Sequence, residues 1–86
     1  MASYFLSYDL NNATIENYQR LYDELEQFKA KKVLESLWFF NASDTTPEEL
    51  RNHFEAFMDT ENKDRIIVIS ASSWAWRNVI SKPKNL

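Results

Sequence analysis

Not one of the 86 residues is glycine. Wherever a turn needs a positive φ, a residue with a β-carbon must adopt it at a steric cost, and Asn and Asp bear that cost best. Asn11, Asn12, Asn41, Asp44 and Asn62 are therefore the residues expected to make the turns. The absence also removes every glycine-rich phosphate loop, so neither a P-loop nor a dinucleotide-binding fingerprint is present. The chain has no cysteine either, which excludes a disulfide framework and thiolate metal sites. A domain this short buries only about 60–65% of its unfolded surface, so its core needs reinforcement. Three Trp, four Tyr and six Phe can supply it, since each large ring buries roughly 150–250 Å². Association into a homodimer would add to it.

Residues 3–9 alternate, with Tyr4, Leu6 and Tyr8 on one side and Ser3, Phe5, Ser7 and Asp9 on the other, which predicts a strand. Ile15, Tyr18, Leu21, Tyr22, Leu25 and Phe28 then recur at spacings of three and four, the stripe of an amphipathic helix. Thr14 is its expected N-cap, and Lys29, Lys31 and Lys32 follow where cations suit the helix dipole. Residues 33–40 read as two short strands joined by a tight bend. Thr46-Pro47-Glu48-Glu49 is a helix start, with Thr46 capping, Pro47 in the first helical position and Glu49 closing a capping box. Leu50, Phe54, Phe57 and Met58 form the apolar stripe behind it. Residues 59–64 form a polar turn, and the β-branched run Ile66-Ile67-Val68-Ile69 predicts a strand covered on both faces or central in its sheet.

The order is strand, helix, two strands, helix, strand. Two helices over one face of a four-stranded antiparallel sheet is the economical solution, a ferredoxin-like α+β domain of β-α-β-β-α-β order. It is expected to span residues 1–80, with 81–86 as a flexible polar tail. The formal net charge is −3 and the pI about 5.0, which does not suit a protein that grips nucleic acid unaided. No run of about 20 apolar residues exists to cross a membrane, and Met1-Ala2-Ser3-Tyr4 lacks the basic start of a signal peptide. The expected location is cytoplasmic.

Ser7-Tyr8-Asp9-Leu10 closing the first strand, the helix after it, Val33-Leu34-Glu35-Ser36-Leu37-Trp38-Phe39, the capped second helix and Asp64-Arg65-Ile66-Ile67-Val68-Ile69 together resemble the small CRISPR-associated Cas-two family. They also resemble its broader relatives, which include virulence-associated protein D ribonucleases. The resemblance covers roughly residues 3–70. It implies a ferredoxin-like homodimer in which Asp9 lies near its symmetry mate and helps to hold a divalent cation, Mg²⁺ or Mn²⁺. It implies either a metal-dependent nuclease or a non-catalytic subunit that positions DNA. The chain departs from that pattern at Leu34, where Gln is usual, and after Asp9, where basic residues are usual.

Asp9 is thus the candidate metal ligand and catalytic residue, its hard carboxylate oxygens suiting Mg²⁺. The competing role is capping of the strand end. Arg20, Lys31 and Lys32 are the candidate nucleic-acid contacts, against a solvated helix end balancing Glu24 and Glu26. His53, the only histidine, reads as a boundary residue before it reads as a general base. No spacing defines a Ser/His/Asp constellation. Trp74 and Trp76 alternate and would share one face of a strand, where they could anchor an interface, cover the sheet or stack bases. Trp38 and Phe40 are expected to extend the same apolar surface, making Trp38, Trp74 and Trp76 the candidate interface. Two functions follow. One is a dimeric, non-catalytic interaction or scaffold module that binds another protein, of a kind found in phage or defence systems. The other is a metal-dependent endonuclease acting on RNA or DNA with Asp9 from both subunits.

Overall fold

In the structure, a computed structural model, residues 1–11, 15–58 and 63–84 are described. The expected N-cap Thr14, the turn residues Asn12 and Asn62, most of the 59–64 turn and the last two residues of the tail lie outside them.

Six elements follow in the anticipated order: β1 (Ala2–Asp9), α1 (Ile15–Gln27), β2 (Lys31–Leu34), β3 (Leu37–Ala42), α2 (Pro47–Glu55) and β4 (Arg65–Ala71). The four strands form one antiparallel sheet in the order β2-β3-β1-β4. The architecture is α+β and compatible with the ferredoxin-like arrangement. Among the described residues no helix is long and apolar enough to cross a membrane.

The period of two in β1 works as the sequence indicates. Tyr4, Leu6 and Tyr8 turn inward and are buried with Trp38 and Phe40 of β3. Against them pack Leu21 and Leu25 from α1 and Leu50 and Phe54 from α2. Leu6, Leu21, Leu25, Phe40 and Phe54 are the most completely enclosed side chains, each contributing about 1.5–3 kcal/mol on burial. Rings tie this layer together: Phe28 lies 5.2 Å from Phe40 and 5.1 Å from Phe54, and Tyr22 lies 5.4 Å from Trp38. Ile15, expected on the α1 stripe, is instead 87% exposed, one turn beyond the reach of the sheet.

The helix ends show how a glycine-free chain turns. The Thr46 hydroxyl accepts from the Glu49 N–H at 3.1 Å, with Pro47 in the first turn as read. At the far end of α1, Lys29 takes φ 56°, the left-handed residue that closes a helix. Lys29 N–H donates to the Glu26 carbonyl and Ala30 N–H to the Leu25 carbonyl, the two bonds of a Schellman cap. Asp44 adopts positive φ as expected, but Lys29, Lys63 and Asn78 do so where Asn11 and Asn41 do not. The β2–β3 turn at Glu35-Ser36 needs no positive φ, because a register shift between Lys32 and Leu34 absorbs the misfit.

Three expectations are corrected. β4 is neither central nor covered on both faces. It is an edge strand, with Ile66 and Val68 packed toward the core while Ile67 and Ile69 remain 56% and 45% exposed. Trp38 does not share a surface with Trp74 and Trp76. As the register neighbour of Leu6 it points under the helices and is buried. Residues 81–84 are not a loose tail: Pro83 is buried and the Lys84 carbonyl accepts from Asn41 Nδ2 at 3.3 Å.

Candidate functional site

Asp9 ends β1 with its side chain 76% exposed, opposite Arg65 of β4. The Arg65 Nη1 to Asp9 Oδ2 distance is 3.8 Å, a solvated cross-strand ion pair. Next to it the Asn11 N–H donates to Asp64 Oδ1 at 2.7 Å, holding the exit of β1 to the entry of β4. Asp9 therefore has a side-chain partner on the neighbouring strand. It also lines an open cavity of about 360 Å³ with Tyr8, Tyr18, Tyr22, Lys32 and Glu35.

That cavity is walled by phenols. The Tyr8 hydroxyl donates to the Tyr22 hydroxyl at 3.2 Å. Burial pushes the Tyr8 hydroxyl far above its ordinary value, and the Tyr22 bond pushes the same way. Tyr8 is thus a fixed, protonated wall rather than an acid-base group near neutral pH. The Trp38 indole N–H is buried in the same neighbourhood without a hydrogen-bond partner of its own.

Of the three cations proposed for nucleic acid, only Lys32 lines the Asp9 cavity. It is already engaged, 3.4 Å from Glu35 and 5.8 Å from the centre of the Tyr22 ring. Arg20 is exposed on α1, and Lys31 opens onto a different cavity at the start of β2. Among the described residues no group of three or more His, Cys, Asp or Glu side chains could hold a metal ion. His53 is half exposed, with Nε2 2.5 Å from Glu24 Oε2 and its ring against Phe28, Phe54 and Phe57. It ties α2 to α1 and faces none of these cavities, as a boundary histidine should.

The sheet face away from the helices is organised differently. Phe5 of β1 and Phe39 of β3 point outward and meet Trp74, with all three ring centroids 5.1–5.3 Å apart. Trp74 and Trp76 belong to no strand. They lie on an irregular segment, residues 72–84, that crosses this face as a strap and docks on β2, where the Ile80 N–H donates to the Val33 carbonyl at 2.9 Å. The strap roofs a space of about 410 Å³ lined by Phe5, Val33, Leu37, Trp74, Val79 and Pro83. Trp76 stays 46% exposed, with the Lys82 ammonium 5.6 Å above its ring.

Ile67 and Ile69 on β4 escape that cover, and sequence reasoning did not single them out. Their signal was present in the run Ile66-Ile67-Val68-Ile69, but a β-branched run reads alike in a central strand and in an edge strand with one open face.

No family model matches the chain, and no solved structure matches it.

Proposed function

We propose that this chain is a non-catalytic, ferredoxin-like interaction module of the Cas-two-like kind, which works as a homodimer joined along β4. The element order and the wholly antiparallel sheet support the ferredoxin-like designation. The observation that carries the reading is the character of the β4 edge. Natural edge strands are blunted by lysine, proline, bulges or extreme shortness. β4 is seven residues long, pairs in continuous register with β1, and carries one charge, Arg65, at its very start. Its outward residues Ile67 and Ile69 are exposed. Antiparallel pairing of two β4 strands satisfies the open edge and brings the four isoleucines of the two copies together.

The nuclease reading has one observation in its favour, that Asp9 and Lys32 line a single cavity. It conflicts with the β4 dimer on geometry. A two-fold axis near Val68, the middle of β4, sets each Arg65 against the partner's other strand end, and Asp9 sits opposite Arg65. At about 3.3 Å per residue the two Asp9 carboxylates are then roughly 20 Å apart along the strands, too far to share a cation.

Sedimentation across the micromolar range tests the dimer, with an Ile67→Lys, Ile69→Lys double variant, which sets like charges opposite each other across the pair, beside the parent. The expected result is a concentration-dependent dimer that the double variant abolishes while keeping its circular dichroism. A parent that stays monomeric throughout sinks the proposal. Mn²⁺-dependent cleavage of RNA or DNA that disappears in Asp9→Ala moves the assignment to the endonuclease.

A further inference from the structure

A cavity about twice the size of the one at Asp9 opens elsewhere on the molecule. It lies at the other end of the sheet, where β2 stops short of its neighbour. β2 begins at Lys31, opposite Phe39, so Phe40, Asn41 and Ala42 of β3 pair with β1 alone and have no strand on their β2 side. The strap returns past this notch and closes its outer side through the Asn41–Lys84 hydrogen bond. The result is a cleft of about 750 Å³, within the range of sites that take small organic ligands.

Its lining has two components. Phe28, Phe39 and Phe40 give it an apolar floor, and Lys29, Lys31, Lys82 and Lys84 surround that floor. These are four of the chain's ten basic residues, and no acidic side chain among the described residues contributes to the lining. Among the described residues no carboxylate lies within ion-pair distance of any of the four lysines, whereas Lys32, Arg51 and Arg65 each have one. Lys82 rests over the Trp76 ring, and the ammonium groups of Lys29, Lys31 and Lys84 are left without a counter-charge among the described residues, a concentration of positive charge that attracts an anion on a chain of net charge −3. Lys29 has a second role, since it sits at the negative end of the α1 dipole. Lys31, Lys82 and Lys84 have no such helix end to serve.

We infer that this cleft binds a small amphipathic organic anion, with an aromatic or aliphatic body on the phenylalanine floor and a carboxylate, sulfonate or phosphate head among the lysines. A nucleic-acid strand fits the site less well. The concavity is closed on one side by the strap, which leaves no open track for successive nucleotides, and half-buried Phe28 is the one ring of the floor with a face to offer.

The test uses the whole chain and two fluorescent probes of similar body, the anionic 1-anilinonaphthalene-8-sulfonate and the neutral N-phenyl-1-naphthylamine. Tight, salt-sensitive binding of the anionic probe is expected, with shifts in the amide spectrum at Phe28, Phe39 and Asn41. Lys31→Gln with Lys84→Gln should weaken it roughly tenfold, about threefold for each exposed ammonium lost, and leave the neutral probe unchanged. Sodium decanoate should displace it. Equal binding of both probes, no loss in the double variant, or shifts confined to Ile67 and Ile69 would overturn the inference. So would displacement by oligothymidylate but not by decanoate, which would reassign the cleft to a nucleic-acid strand. The glutamine pair removes charge at exposed positions and keeps length. Should it fail to fold, the salt dependence and the site of the amide shifts in the parent decide the question alone.

Discussion

On the inner face of the sheet, Tyr4, Leu6, Tyr8, Trp38 and Phe40 meet leucines and phenylalanines from two amphipathic helices. On the outer face, Phe5 and Phe39 meet Trp74 from a segment without regular structure, and Ile67 and Ile69 stay exposed. The same strands make both faces, because alternation hands every second residue to each side. The outer face mixes Phe5, Phe39, Ile67 and Ile69 with Ser7, Asp9, Asn41 and Arg65, and only the inner face is closed by periodic elements. An 86-residue chain has enough helix for one layer. What remains covers half of the second, and the uncovered half is the candidate contact surface.

This contrast sets the size of the expected mutational effects. Phe54 is wholly enclosed, so Phe54→Ala should cost about 3–5 kcal/mol. Against a total of roughly 0.05–0.15 kcal/mol per residue, about 4–13 kcal/mol for this chain, that is a large share of the stability. Trp74 is half-buried with solvent on one side, so Trp74→Ala should cost about half as much as Phe54→Ala, roughly 2 kcal/mol, and leave a folded protein. Urea titration of both variants checks the ratio. Equal losses would mean that the strap completes a full second core and that the faces do not differ in kind.

The parts legible in the sequence were those with a period or a local chemical signature. Thr46-Pro47-Glu48-Glu49 specified a helix start through short-range chemistry, and the structure has it to the residue. Tyr4, Leu6 and Tyr8 specified the inner face of β1 by alternation. The strap has neither signal. Its docking depends on Trp74 finding Phe5 and Phe39 and on Ile80 finding Val33, contacts between residues more than 30 positions apart. Trp38 was misplaced for a simpler reason: its aromatic character was weighed before its parity, although the phase of β3 relative to β1 is what puts it opposite Leu6. Asp9 was legible as an acidic strand end, but not its pairing with Arg65, since strand order is set by the whole sheet. The lysine cleft was invisible because Lys29 and Lys31 lie some fifty residues before Lys82 and Lys84.

A smaller effect probes the inner face from its polar rim. Tyr8→Phe removes the hydrogen bond to Tyr22, at a cost of about 0.5–1.5 kcal/mol. It should also change the response to alkali. Folded Tyr8 holds its proton more tightly than the unfolded chain does, where the value is near 10. Stability is therefore fully present below about pH 10 and is lost as pH rises beyond it toward the folded value. Denaturation followed at about pH 8 and about pH 11 should show that loss in the parent and a shallower one in Tyr8→Phe. An unchanged slope in the variant would place the alkaline sensitivity elsewhere.

The smallest effect is expected where the outer face is open, and it bears most directly on the function proposed. Ile69→Thr keeps a β-branched residue at a position 45% exposed, so in dilute solution it should change stability by less than about 0.5 kcal/mol. Concentration alters that expectation. If β4 edges pair, the parent gains stability by mass action, about 2.7 kcal/mol at a hundredfold excess over Kd, and the variant forfeits part of that gain. Thermal melts of both proteins over a wide concentration range separate the cases. Curves that coincide when dilute and diverge when concentrated place Ile69 in a homodimer contact. Curves that stay parallel make the open half of the outer face an ordinary solvent surface, and the case for a β4 dimer falls with it.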